Sequence, residues 1–133
     1  MTGTTAADAV RADWHPVPQP VVDAALPTRV RVYEVGPRDG LQAEPEILPV
    51  EVKIEFARRL ASTGLRDLEV TSFVPPRWIP QLADAEEVVA GLGALDGVRR
   101  VALVPNLRGL DRALAAGIRE VAVQAVPAAF SRS

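Results

Sequence analysis

From residue 29 onward, short apolar runs alternate with longer stretches of helical spacing. Val30–Val35 is largely β-branched and ends at Gly36-Pro37, which reads as a strand and its stop. Pro49–Thr63 then places Val50, Ile54, Ala57 and Leu60 on one helical face. Pro49 suits the first helical position, Glu51 lies in the first turn, and Gly64 suits the position just past the end. Leu68–Thr71 reads as a second strand. Asp84 can cap a second helix, with Glu87 completing a capping box and Val88, Leu92 and Leu95 facing inward. Val101–Val104 is a third strand. Asn106 can cap a third helix that turns Leu107, Leu110 and Leu114 inward and Arg108 and Arg112 outward, and Gly117 closes it. Val121–Val123 is a fourth strand.

The helix-to-strand joints repeat. Gly64-Leu65-Arg66-Asp67, Gly97-Val98-Arg99-Arg100 and Gly117-Ile118-Arg119-Glu120 each run glycine, apolar residue, arginine, charged residue, then strand. The strand exits repeat as well, since Pro37, Pro75, Pro105 and Pro127 follow the four strands closely. Strands alternating with helices predict an α/β fold with a parallel sheet and right-handed crossovers. Function in such sheets sits at the carboxyl ends of the strands, here the proline-bearing loops.

Residues 1–28 lack this order. Pro16, Pro18, Pro20 and Pro27 punctuate a stretch without a period, which predicts a disordered, proline-rich arm ahead of a domain at 29–133. Asp8 and Asp13 argue against a secretory signal. His15, the only histidine, reads as an exposed arm residue, with a ligand role as the alternative. Fifteen basic against seventeen acidic residues leave a net charge of −2, which speaks against a dominant nucleic-acid or polybasic membrane role. The absence of cysteine removes disulfides, thiolate metal sites and cysteine nucleophiles from this chain. Lys53 is the only lysine, so any lysine Schiff base has one candidate, on a predicted helix.

Chemistry concentrates in the first two loops. Arg38-Asp39 follows the first strand: an aspartate there can bind a hard divalent ion, and an arginine can stabilise a developing oxyanion or enolate. The alternative is an ordinary turn, since Asp39-Gly40 is a turn dipeptide. Glu34 and Glu69 lie inside strand patterns, where a buried carboxylate needs a partner. Arg38 is one candidate, and solvent at an open sheet edge is the other possibility. Phe73 and Trp78 either wall a ligand cavity or pack the second loop. Asn106 is a cap, a polar group aimed at the site, or both. Gly91-Leu92-Gly93 follows a helix rather than a strand and is not a phosphate loop.

Three blocks carry a resemblance: Glu34-Val35-Gly36-Pro37-Arg38-Asp39-Gly40-Leu41-Gln42, the run from Glu69 through Ser72-Phe73 to Trp78-Ile79-Pro80-Gln81, and Leu103-Val104-Pro105-Asn106-Leu107-Arg108-Gly109. In this order and spacing, across about residues 29–125, they resemble the 3-hydroxy-3-methylglutaryl-CoA lyase family. Claisen-type synthases share Arg-Asp-Gly, but Gly36-Pro37 before it and Leu41-Gln42 after it favour the lyase. The resemblance implies a (β/α)₈ barrel, Mg²⁺ or Mn²⁺, an acyl-CoA substrate, and cleavage of 3-hydroxy-3-methylglutaryl-CoA to acetyl-CoA and acetoacetate. It implies Asp39 as a metal ligand, Arg38 and Glu69 as catalytic residues, and Gln42 and Ser72 as substrate-pocket residues. It also implies a homo-oligomeric, cytoplasmic enzyme of leucine and ketone-body catabolism. The high Ala, Pro and Arg content points separately to a GC-rich bacterial genome, and charge and composition to no nucleic-acid or membrane partner.

A barrel of this kind takes roughly 250 residues. This chain supplies four strands and three helices, and the family's His-x-His pair, later Asn and mobile-loop Cys have no counterpart in it. The expectation is a truncated, partial barrel with an incomplete metal site, inactive by itself. The alternatives are a catalytically silent half-barrel serving binding or assembly, and a relative of the Claisen-type synthases.

Overall fold

The computed structural model describes residues 23–124. The expected arm, including His15, lies outside the described residues as far as residue 22. The chain divides between Val30 and Arg31 into two compact units. The described part of the first is an exposed turn, in which the Asp23 carboxylate accepts the Ala25 amide at 2.8 Å.

The second unit is built on four parallel strands in the order β1-β2-β3-β4: Tyr33–Glu34, Asp67–Ser72, Arg99–Val104 and Glu120–Val123. Three helices alternate with them, α1 (Val50–Ala61), α2 (Ala85–Leu92) and α3 (Leu107–Ala115). Leu68, Val70, Ala102, Val104 and Val121 form the helix side of the sheet. They pack with Ala57 of α1, Val88, Val89 and Leu92 of α2, and Ala113 of α3. Alternation sends Tyr33, Asp67, Glu69, Arg99, Val101, Leu103, Glu120 and Ala122 to the opposite side. That second face carries the charges.

Several boundaries move from their expected places. The first strand pairs over two residues instead of Val30–Val35, with Tyr33 opposite Asp67 and Glu34 opposite Leu68. A parallel ladder needs a neighbour, and before Asp67 the neighbour is the Gly64 joint, which is not strand; Val32 is accordingly exposed. Helix α1 keeps its expected face but stops at Ala61, where the Ser62 and Thr63 hydroxyls donate to the Arg59 and Leu60 carbonyls, each at 2.7 Å. Helix α2 ends at Leu92, with Gly93 at φ +60°, so Leu95 reaches the core from the loop beyond. The repeated joint glycines hold the positive φ their position requires: +92° at Gly64, +69° at Gly97 and +93° at Gly117.

Two cap expectations part ways. Asn106 does cap α3, its side chain accepting the Gly109 amide at 2.9 Å. Asp84 does not cap α2; its carboxylate instead receives the Lys53 ammonium at 2.6 and 2.8 Å. Lys53 is buried and also donates to the Gln81 carbonyl at 2.6 Å, so the one lysine is a structural cross-link between α1 and the segment before α2. A buried ammonium needs its counterion more than a helix terminus needs a cap. Helix α3 is also rotated from its expected face. Leu107 and Leu114 are exposed, and Gly109, Leu110 and Ala113 turn inward. A Cβ at Gly109 would stand 2.8 Å from the Phe73 carbonyl oxygen, so it is the glycine face that lets α3 sit this close. Arg112, expected to point outward, lies over the Phe73 ring at 5.5 Å and pairs with Glu86.

Candidate functional site

At the carboxyl end of β1 the chain closes one wide turn over Gly36–Gly40, in which the Arg38 and Asp39 amides both donate to the Val35 carbonyl, at 3.0 and 2.7 Å. Pro37 is buried beneath it. Glu34 anchors the turn's entry: its carboxylate accepts the Gly36 amide at 2.6 Å, and a Cβ at Gly36 would stand 2.8 Å from that oxygen. Glu34 is therefore paired with its own loop rather than with Arg38, whose guanidinium goes to Glu69 and Asp39. Arg38-Asp39-Gly40 is a turn, as its composition suggested, and the turn aims both charged side chains at one place.

That place is an open concavity of about 710 Å³ at the carboxyl ends of the strands. Arg38, Asp39, Gln42 and Glu69 line it, together with Trp78 and Pro105. The Arg38 Nε donates to Glu69 Oε1, and one of its terminal nitrogens donates to Asp39 Oδ1 at 2.5 Å. Glu69 is 2% exposed and Asp39 60% exposed, so Arg38 bridges a buried carboxylate to an open one. The other Glu69 oxygen accepts the Tyr33 hydroxyl at 2.6 Å. Burial, and then the bond to Glu69, push the Tyr33 phenol well above its ordinary value.

Ser72 is brought to this face by an irregularity in β2. Glu69 pairs with Val101 and Ser72 with Leu103, two residues further on, so β2 carries one extra residue between them. Glu69 and Ser72 thus share a face although they are three apart. Ser72 is fully buried and its hydroxyl donates to the Leu103 carbonyl at 3.3 Å; it does not line the concavity. Thr71 pairs with Ala102 and is buried, its hydroxyl without a partner among the described residues. Trp78 is 60% exposed and walls the concavity, whereas Phe73 is buried in the core. Asn106 lies outside this concavity, lining a neighbouring one of about 560 Å³ between the second loop and α3.

The charges at the other ends of the strands were not anticipated. Buried Asp67 accepts Arg31 and also Arg99, the latter at 2.5 Å, and Arg99 reaches Glu120 at 2.6 Å. The hydrogen bond from Arg99 is the largest influence holding the Asp67 carboxyl below its ordinary value; burial works against it, and Arg31 adds to the lowering. The Gly-apolar-Arg-charge joints carried the signal for this chain of ion pairs. Tyr33 was likewise overlooked, although a tyrosine in a valine-rich strand has a polar tip that needs an acceptor.

Among the described residues no group of three His, Cys, Asp or Glu side chains converges as a metal site. Asp39 supplies one exposed hard oxygen donor, which fits as one ligand of a divalent ion and is not a site by itself.

The chain is similar in sequence and fold to known proteins. The rat cytoplasmic 3-hydroxy-3-methylglutaryl-CoA lyase is 55% identical over 100 residues, covering 75% of this chain and 29% of the relative. The crystal structure of the Bacillus subtilis HMG-CoA lyase matches with a TM-score of 0.70 at 52% identity, covering 73% of this chain and 33% of that one. An Acinetobacter baumannii HMG-CoA lyase in complex with coenzyme A and 3-methylmalate matches with a TM-score of 0.68 at 42% identity, over 70% and 30%. The chain thus spans about a third of the length of these relatives, and its sheet is a four-stranded part of their (β/α)₈ barrel. The HMGL-like family description matches residues 29–132, and the chain belongs to that family.

Proposed function

We propose that this chain carries the Arg-Asp portion of a carbon–carbon lyase site that cleaves 3-hydroxy-3-methylglutaryl-CoA to acetyl-CoA and acetoacetate. The observation that carries this reading is the meeting of Arg38, Asp39 and Glu69 at the carboxyl ends of β1 and β2, in a chain of this family. Cleavage removes the proton of the tertiary hydroxyl. The carbon–carbon bond then breaks as that carbon becomes a ketone, and the electron pair passes to the acetyl thioester as an enolate. Arg38, fixed by Glu69 and only partly exposed, is the group placed to meet the enolate oxygen. Gln42 on the rim and Ser72 beneath it are the proposed substrate-pocket residues.

The family is metal-dependent. Mg²⁺ or Mn²⁺, when bound, supplies polarisation of the substrate hydroxyl. Asp39 is the ligand this chain offers, and the described residues hold no complete cage for the ion. An acyl-CoA substrate agrees with the coenzyme A bound to the Acinetobacter baumannii protein. We further propose a cytoplasmic, homo-oligomeric protein, in line with the rat relative's compartment. No helix among the described residues is long and apolar enough to cross a membrane.

The test is acetoacetate formation. Residues 1–133 alone should give none, with or without Mg²⁺ or Mn²⁺. A chimera in which residues 29–124 replace the matching third of the Bacillus subtilis enzyme should turn over, and Asp39→Ala should abolish that turnover. An inactive chimera that folds and binds acyl-CoA would overturn the lyase reading.

A further inference from the structure

Glu69 presents two oxygens at the concavity, and only one is taken by Arg38. The second belongs to a carboxylate that is almost fully buried, where an unpartnered acceptor is costly and a singly held carboxylate can rotate about its last torsion. Tyr33 closes that gap. It stands opposite Asp67 on the neighbouring strand, two residues before Glu69 and on the same face, and its ring carries the hydroxyl across to Glu69 Oε2 at 2.6 Å. With both oxygens on donors, the carboxylate plane is set, and the Arg38 guanidinium is set by that plane.

We infer that Tyr33 is a positioning residue, which fixes Glu69 and through it aims Arg38 into the concavity. For Arg38 as the group that meets the enolate, this rests on the lyase reading; for the hold on Glu69 it does not. Glu69 is thereby a fixed acceptor rather than a free base, and its work is done through Arg38. Tyr33 does not line the concavity, and its hydrogen bond goes to Glu69. The charged groups acting on the phenol are Glu69, Arg38, Asp67 and Arg99.

Tyr33 is the only tyrosine of the chain, so its ionisation can be read directly from phenolate absorbance in the intact protein. The wild-type phenol should titrate well above the ordinary value of 10.0. In Glu69→Gln the midpoint should fall toward the ordinary value by about one pH unit or more, because the charged acceptor is gone. A second readout needs no change at Glu69. In Tyr33→Phe, which keeps the ring, the Arg38 Nε–H signal in ¹⁵N NMR should exchange with water several-fold faster than in wild type. A merely packed tyrosine would leave that rate unchanged. A wild-type phenol midpoint near the ordinary value, or an Arg38 exchange rate untouched by Tyr33→Phe, would overturn the assignment. Neither readout depends on turnover. A folded but inactive chimera beside a raised phenol in the chain would refute the lyase reading and leave the Tyr33 contact standing, and an active chimera beside an ordinary phenol would do the opposite.

Discussion

Strand β2 carries two buried carboxylates two residues apart on one face, Asp67 and Glu69, and they have been put to different uses. Asp67, at the amino end, is held by Arg31 and Arg99, and Arg99 is held in turn by Glu120. These ion pairs tie the segment before β1 to the starts of β2, β3 and β4. Glu69, toward the carboxyl end, is held by Tyr33 and Arg38, and Arg38 leads on to an exposed carboxylate at the edge of an open concavity. The same residue chemistry makes a strand clamp at one end and a preorganised cation at the other. What differs is the next group along: at the amino end it belongs to another strand, and at the carboxyl end to a turn facing a cavity. In a barrel sheet, charges at the amino ends speak of stability and charges at the carboxyl ends of chemistry.

The comparison breaks most visibly at Asp67. Asp67→Asn should lower the urea midpoint, followed by tryptophan fluorescence, more than Glu69→Gln does, because three arginine donors lose a charged acceptor instead of one. Equal losses would mean that the two carboxylates play the same role.

Acid should reach the same distinction. The Asp67 carboxyl is lowered, so the stability it contributes is present above its ordinary value of 3.8 and is lost as pH falls through the lowered one. The acid limb of the stability curve should therefore be shallower in Asp67→Asn than in wild type. At the other extreme Tyr33 is raised. Its contribution is fully present below 10.0 and is lost as pH rises from there through the folded value. Tyr33→Phe should flatten the alkaline limb.

The smallest effect belongs to the outer link of the clamp. Arg99 and Glu120 are both nearly half exposed. Glu120→Gln should cost less than about 1 kcal/mol, and the loss should shrink further in high salt.

The repeating strand-loop-helix unit was legible because apolar periodicity and joint glycines are local signals. Gly64 and Gly117 follow their helices as expected, and Asn106 caps α3. The failures came where tertiary pairing decides. Asp84 had every mark of a cap until the buried Lys53 claimed it. Leu107 and Leu114 had the helical spacing of a core face, but the close approach of Gly109 to the Phe73 carbonyl turned α3 away from them. At the site, Arg38, Asp39, Gln42 and Glu69 could be named from the motif blocks, and their meeting in one concavity follows from the parallel order of β1 and β2. The register irregularity that puts Ser72 on the Glu69 face left no mark in composition, since alternation alone sends residues three apart to opposite faces. Tyr33 was hidden for a related reason: its partner lies across the sheet, and nothing nearby in sequence announces it.

The central claim is that Arg38 is the cation placed for the enolate and that Arg99 only clamps strands. Steady-state kinetics of the chimera with the Bacillus subtilis enzyme tests it most directly. Arg38→Met should lower kcat by roughly 10²–10³ with little change in KM, as loss of a preorganised donor does. Arg99→Met should leave kcat nearly intact while lowering the unfolding midpoint. An unchanged kcat in Arg38→Met, or an equal loss in both variants, would contradict the account.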